Sequence, residues 1–213
     1  MTVLVLHAFP LDERMWEPQR ALLPDAVAPR LYGRGLTMDA WAGTLVDEIR
    51  GDVAVIGASM GGYCALALAR LAPERVRGLL LVGARPDADS EERRRGRADT
   101  IELIRNEGAD GLWRSMMPKL FADPDRADAR LLYRDPGGLV EAVEAIRDRI
   151  DSTDVARSLG ARVRFVVGEH DPFVSADELR DFDVREVAGA GHLVNVERPD
   201  RFNAELEEFL AGV

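Results

Sequence analysis

Val53-Ala54-Val55-Ile56-Gly57-Ala58-Ser59-Met60-Gly61-Gly62 is the stretch that decides the fold. An apolar, β-branched run ends in Gly-x-Ser-x-Gly, and a run of helical character follows at once. This is the sequence form of a strand, a sharp turn that exposes a serine, and a helix whose N-terminus lies behind the hydroxyl. Gly57 and Gly61 flank Ser59 where a Cβ would collide with neighbouring backbone. The pentapeptide is unspecific by itself, and the strand before it and the helix after it make it informative.

A serine hydroxyl is a weak nucleophile at neutral pH and needs a base, most often an imidazole. The chain has 3 histidines, His7, His170 and His192. His192 lies in Val187-Ala188-Gly189-Ala190-Gly191-His192-Leu193, a small-residue loop after an apparent strand and before the last helix. Asp171 ends Arg164-Phe165-Val166-Val167-Gly168-Glu169-His170-Asp171-Pro172, an apolar run that closes in a turn bearing an acid. Ser59, Asp171 and His192 are therefore the candidate catalytic residues. Asp171 would fix the tautomer of His192, and His192 would take the proton of Ser59 and pass it to the leaving group. Asp87 and Asp89, which follow Gly83-Ala84-Arg85-Pro86, are the alternative acids. His7 reads as a shaper of the loop after the first strand, and His170 as a loop residue.

Four motifs in order carry a resemblance that spans nearly the whole chain: Leu6-His7-Ala8-Phe9-Pro10-Leu11-Asp12, Gly57-Ala58-Ser59-Met60-Gly61-Gly62, Gly168-Glu169-His170-Asp171, and Gly189-Ala190-Gly191-His192 with Glu197-Arg198-Pro199. With them the chain resembles an α/β-hydrolase of the small esterase and 3-oxoadipate enol-lactonase kind. The chain order Ser, Asp, His is that of this fold. In such families the loop after the first core strand carries His-Gly-x-Pro. The resemblance then implies an oxyanion hole built from the N–H groups of Phe9 and Met60, each worth roughly 3 kcal/mol or more of barrier. The chain departs from the pattern in three places. Ala8 stands where the motif has glycine. The chain enters Val3-Leu4-Val5-Leu6 directly, so the fold is expected to be shortened at its N-terminal edge. The usual glycine-rich stretch survives only as Tyr32-Gly33-Arg34-Gly35-Leu36-Thr37.

Apolar runs that alternate with helical periods predict an α/β fold, a mostly parallel sheet of about six strands flanked by helices. The expected strands are Val3–Leu6, Val27–Tyr32, Val53–Ile56, Gly78–Gly83, Val163–Gly168 and Asp183–Val187. Pro29 puts the second of these on an edge, because proline cannot donate to a ladder. The expected flanking helices are Asp12–Leu23, Asp39–Arg50, Gly62–Leu71 and Pro199–Ala211, the last starting with a proline suited to a first turn.

No strand signal appears between Gly83 and about Ser158. Glu91–Glu107, Asp110–Met117, Asp125–Tyr133 and Gly138–Ile150 read as helices. The expected organisation is an α/β-hydrolase core of residues 1–86 and 159–213 with a helical cap insertion, residues 87–158, in one structural domain. Such a cap would close a substrate pocket over Ser59 and exclude water. His7, Trp113, Met117 and Phe121 are its candidate lining residues, with Met116, Leu120 and Leu132 as further apolar wall. The run Arg93-Arg94-Arg95-Gly96-Arg97 reads as a solvated helix face with paired charges. In a second reading one arginine enters the pocket and clamps a substrate carboxylate.

At 213 residues, 46% hydrophobic and 31% charged, the chain suits one soluble globular domain. A formal net charge of −10 argues against a nucleic-acid partner. No run approaches the ~18 apolar residues of a membrane span, and no signal-like segment opens the chain. Cys64 is the 1 cysteine and has no internal partner, so a cytoplasmic location is expected. No cluster has metal-ligand spacing and no P-loop follows Gly61, so no cofactor and no metal are expected. The expected partner is a small-molecule substrate, not nucleic acid or membrane, with the chain a monomer or homodimer. The function expected is a serine hydrolase that cleaves a small ester or lactone through an acyl-enzyme. The alternatives are carbon–carbon bond hydrolysis, a cofactor-free lyase or peroxidase on the same residues, and a non-catalytic small-molecule receptor.

Overall fold

The structure, a computed structural model, describes residues 1–213. Its centre is a sheet of five parallel strands in chain order: β1 (Thr2–Leu6), β2 (Val53–Ala58), β3 (Val76–Val82), β4 (Val163–Gly168) and β5 (Asp183–Val187). Side chains alternate across these strands, as the two-residue pleat demands. Leu4, Val55, Leu79 and Phe165 join one buried cluster, and Val5, Ile56, Leu80 and Val166 join the other. Both faces are covered by helices, which is why β2 and most of β3 read as continuous apolar runs rather than alternating ones.

The sheet has five strands rather than the expected six or so. Val27–Tyr32 does not form a strand and touches the sheet through a single parallel bridge, Leu4 with Val27. The Val27 N–H donates to the Val3 carbonyl and its carbonyl accepts from Val5 (both 2.9 Å). Pro29 then offers no N–H to extend the ladder. Beyond it the segment satisfies its polar groups on the loop after β1. The Leu31 N–H donates to His7 Nε2 (2.9 Å), and the Tyr32 hydroxyl donates to the Leu11 carbonyl (2.9 Å).

That bridge also explains where the site lies. The chain leaves β1 towards the Val27 edge, then returns through helix α1 (Met38–Glu48) to β2 on the other side of β1. The crevice outside the carboxyl ends of β1 and β2 is thus a topological switch point, where ligands bind in open parallel sheets. Thr37 caps α1 by accepting the Ala40 N–H. Helix α2 (Met60–Leu71) follows β2 and is buried on nearly every side, packed on α1. The expected helix Asp12–Leu23 is only a 3₁₀ stretch, Glu13–Gln19, capped by Asp12. Pro18 inside that run removes the N–H a longer helix would need.

Between β3 and β4 the chain is helical. The two helices expected at Glu91–Glu107 and Asp110–Met117 are both present within α3 (Glu91–Leu120), which breaks between them at Gly108, where the backbone is not helical (φ 65°, ψ −162°). Helix α4 (Pro136–Arg147) packs on it. Asp125–Tyr133 is not a helix. It makes two 3₁₀ turns, Pro124–Arg126 and Ala129–Leu131, each opened by an aspartate that caps its own turn. Leu131 and Tyr133 instead clip onto the loop after β1: the Asp12 N–H donates to the Leu131 carbonyl and the Tyr133 N–H to the Pro10 carbonyl (both 3.0 Å). Helix α5 (Thr153–Leu159), not foreseen, leads into β4 and packs on α2. Two helices close the chain, α6 (Val194–Glu197) and α7 (Pro199–Ala211), the latter covering the second face with Phe202, Leu206 and Phe209. No helix is long and apolar enough to cross a membrane.

Candidate active site

Ser59 sits between β2 and α2 at φ 49°, ψ −111°, the only non-glycine residue with positive φ. The surrounding glycines show why so costly a conformation persists. A Cβ on Gly57 would stand 2.6 Å from the Gly61 carbonyl oxygen, one on Gly61 would run into the Leu6 carbonyl, and one on Gly62 would stand 2.5 Å from the Ala84 methyl. The turn can be this tight only because all three lack side chains.

His192 Nε2 lies 2.8 Å from Ser59 Oγ, and His192 Nδ1 lies 2.8 Å from Asp171 Oδ2. The other Asp171 oxygen, Oδ1, accepts the N–H groups of Phe173 (2.8 Å) and Val174 (3.3 Å). Both carboxylate oxygens are therefore engaged, and the acid cannot rotate away from the imidazole. With Nδ1–H donating to Asp171, Nε2 is left as the acceptor for the Ser59 hydroxyl. Asp87 and Asp89, the alternative acids, lie elsewhere. Asp87 pairs with Arg85 (2.5 Å) and Arg93 (3.2 Å), and Asp89 with Arg149 (2.6 Å) and Arg97 (3.0 Å). Burial opposes ionisation of Asp87, but its two arginines hold the carboxyl below the usual range.

The His192 loop is fixed by a residue to which the sequence motifs assign no role. Glu197, buried in α6, accepts the N–H of Gly191 (2.6 Å) and of Asp123 (2.8 Å), tying the loop to the end of α3. Arg198 donates to the Gly189 carbonyl (2.6 Å), and Glu169 accepts the Gly189 N–H (2.8 Å). A glutamate one turn after a small-residue loop, inside an apolar segment, was the available signal. His170 is an exposed loop residue whose backbone N–H donates to Ala190.

The loop after β1 is held as firmly. His7 is fully buried, with Nδ1 donating to the Ala8 carbonyl (3.2 Å) and Nε2 accepting from Leu31. Burial is the main cause that brings its pKa down to about 4, so the ring is neutral at pH 7. Tyr32 lies against His7 with ring centroids 5.0 Å apart, and Tyr133 stacks on Tyr32 at 3.8 Å. Ala8 takes an ordinary backbone conformation, since Ser59 alone among non-glycines has positive φ. Alanine in place of glycine there carries no left-handed strain. Phe9 is buried beside Ser59, and its N–H meets no backbone or side-chain acceptor. Met60 is the first residue of α2, where N–H groups lack intrahelical partners.

A chamber of about 30 Å³ opens on Ser59 and His192, walled by Phe9, Tyr63, Arg97, Met116, Leu120 and Phe173. It adjoins a cleft of about 240 Å³ that shares Phe9, Tyr63, Arg97, Met116 and Phe173. The pocket residues expected from sequence need correction. His7 is sealed beneath the loop, and Trp113, Met117 and Phe121 do not line this chamber. The reason is helical phase. Leu112, Met116 and Leu120 are four apart on one face of α3 and look into the cavity, whereas a one-residue shift turns Trp113 and Met117 by about 100°. Those two pack instead on the buried cluster that contains Phe121. Tyr63 and Phe173 were missed as lining residues, whereas Arg97 belongs to the run whose second reading puts one arginine in the pocket. Phe173 meets His192 edge-on at 4.7 Å. Cys64, behind the site, is buried, and burial pushes its thiol up to about 12.

A family model described as "Alpha/beta hydrolase family" matches residues 3–205. Over 93 residues, 39% of the chain, it is 36% identical to a pimeloyl-[acyl-carrier protein] methyl ester esterase of Aromatoleum aromaticum. The chain spans less than two thirds of the curated relatives it matches, 37% and 64% of their lengths. A thermophilic esterase from Thermogutta terrifontis superposes with a TM-score of 0.88 at 30% identity, over 99% of this chain and 89% of the other. An enol-lactonase from Burkholderia xenovorans LB400 shares the fold with a TM-score of 0.81 at 22% identity, over 98% and 90% of the two chains.

Proposed function

The chain belongs to the alpha/beta hydrolase family, and from that premise we propose that it is a serine hydrolase that cleaves a small ester or lactone through an acyl-enzyme. The observation that carries this reading is the unbroken hydrogen-bonded path from Ser59 Oγ through His192 to Asp171, at 2.8 Å on each side of the ring. Ser59 attacks the carbonyl carbon while His192 Nε2 takes its proton. Asp171 stabilises the imidazolium through Nδ1–H and keeps the tautomer that leaves Nε2 free to accept. The N–H groups of Phe9 and Met60 take the oxyanion. His192 protonates the leaving alkoxide, and the ester bond breaks. Water then attacks the acyl carbonyl carbon while giving a proton to His192, and His192 returns that proton to Ser59 Oγ as the acyl–Oγ bond breaks and the acid leaves.

Residues 87–158 act in this reading as the cap. Met116 and Leu120 of α3 form the apolar roof over Ser59, and excluding water there strengthens every electrostatic contact to the transition state. The chamber together with the cleft of about 240 Å³ that adjoins it gives room for a small ester or lactone.

The test is intact-mass analysis after incubation with a fluorophosphonate. One adduct is expected on the native protein and none on Ser59→Ala. Asp171→Asn is expected to slow ester turnover by about 10³- to 10⁴-fold, as the wrong histidine tautomer does in such triads. An adduct that persists in Ser59→Ala, or none on the folded native protein, overturns the assignment.

A further inference from the structure

Three arginines, Arg85, Arg93 and Arg97, line the cleft beside Ser59, in a chain whose net charge is −10. Two of them have both terminal nitrogens taken. Arg85 is held by Asp87, Glu178 and the Phe173 carbonyl. Arg93 gives its terminal nitrogens to Asp87 and the Ala88 carbonyl. Arg97 is different. Its Nε donates to Asp89 Oδ2 at 3.0 Å, and its two terminal nitrogens make no hydrogen bond to the protein. It is also the only arginine, lysine or acidic residue in the chamber that contains Ser59.

Arg97 is aimed by a buried relay. The Asp89 side chain is wholly buried, and its second oxygen takes Arg149 Nη1 at 2.6 Å. The Arg149 guanidinium in turn lies over the Tyr63 ring, 4.2 Å from its centroid, and Tyr63 is itself a wall of the chamber. Asp89 is the only acid lining either cavity, and both of its oxygens are engaged. In the ion-pair cluster four guanidiniums (Arg85, Arg93, Arg97, Arg149) meet three carboxylates (Asp87, Asp89, Glu178), so one positive charge is left over. Lys119 adds another on the rim of the cleft, in no ion pair.

We propose that the preferred substrate carries a carboxylate a few bonds from its scissile carbonyl, and that Arg97 is the residue that selects it. The proposal rests on the serine-hydrolase reading above. With Nε held by Asp89, the end of the guanidinium presents two parallel donors, the pattern that matches a carboxylate bidentately. With the Arg97 side chain only 23% exposed, such a pair is worth more than on an open surface.

The test compares esters matched in length, one member ending in a methyl group and the other in a carboxylate, such as p-nitrophenyl valerate against the p-nitrophenyl monoester of glutaric acid, with a second pair carrying the carboxylate on the alcohol side. At least one carboxylate member is expected to have the higher kcat/KM. Arg97→Gln is expected to lower the ratio of carboxylate to neutral kcat/KM by about 10- to 100-fold, and Arg97→Lys by less. Binding of the glutarate monoester to Ser59→Ala, read by calorimetry, should weaken by a similar factor when Arg97→Gln is added. A ratio that Arg97→Gln leaves in place, or a neutral preference in both pairs, overturns the proposal while Ser59-dependent hydrolysis stands. Loss of all Ser59-dependent turnover and labelling in the native protein overturns the hydrolase reading, and this proposal with it.

Discussion

Gly83, the residue after β3, lies directly against His192: a Cβ built on it would stand 2.7 Å from the His192 carbonyl oxygen and 2.9 Å from its Nδ1. Nδ1 is the atom that meets Asp171, so the strand end and the His192 ring share one space that only a hydrogen atom can fill.

Gly83→Ala is therefore expected to be an activity variant more than a stability variant. The backbone there has φ 55°, which a side chain tolerates at a cost of roughly 1–2 kcal/mol. The larger effect is displacement of the ring, and misplacement by about 1 Å costs on the order of 10²-fold in rate. Gly160→Ala is the control. It has the same φ of 55° but open space around it, so it should lose stability through backbone strain alone and keep its turnover. Equal loss of turnover in both variants would show that backbone strain, not contact with His192, is responsible.

Glu197→Gln probes the anchor of the His192 loop. The carboxylate accepts two backbone N–H groups, from Gly191 and Asp123. An amide offers one acceptor and turns its NH₂ towards the second donor, leaving a buried N–H unpaired at a cost of about 1–3 kcal/mol. For a domain of this size that corresponds to a fall in Tm of roughly 2–4 °C per kcal/mol. kcat should fall with it, because Gly191 adjoins His192. A variant with unchanged Tm and kcat would mean the two N–H groups find other acceptors.

The parts that were legible in the sequence are those whose signal is local. β1 to β4 are short, largely apolar runs bounded by turn residues, β5 (Asp183-Val184-Arg185-Glu186-Val187) carries only two valines, and Ser59, Asp171 and His192 each follow a strand in a turn with its own signature. Val27–Tyr32 misled because its apolar residues are drawn to the loop after β1 through His7 and Leu11, a tertiary demand that no run of residues displays. Asp125–Tyr133 misled because Asp123 and Asp128 cap their own turns in preference to a helix. The pocket was harder still. Whether Met116 or Met117 faces Ser59 depends on the rotation of α3, which the bend at Gly108 and the packing of α4 determine together. Arg97 belongs to the same class. Its spacing from Arg93 put both on one face, but the hydrogen bond to Asp89 that leaves its terminal nitrogens free exists only once the fold has formed.

His7 gives a pH dependence whose sign follows from its burial. The free imidazole has a pKa near 6.5, and in the fold it is lowered to about 4. Between those values the unfolded chain binds a proton that the folded chain refuses, so stability rises with pH. The contribution is fully present above pH 6.5 and is lost as pH falls towards 4, amounting to about 3 kcal/mol. The consequence reaches the site, because a protonated His7 can no longer accept the Leu31 N–H through Nε2, and the loop that carries Phe9 loses that tie. Urea unfolding at pH 7.5 and pH 4.5 checks this. His7→Gln should be less stable than the native protein at pH 7.5, yet lose less between the two pH values, by about 2–3 kcal/mol. Titration of the surface carboxylates is common to both proteins and cancels in the comparison. Parallel losses would show that His7 exchanges its proton freely in the fold, and that the loop is held by Tyr32 and Tyr133 without it.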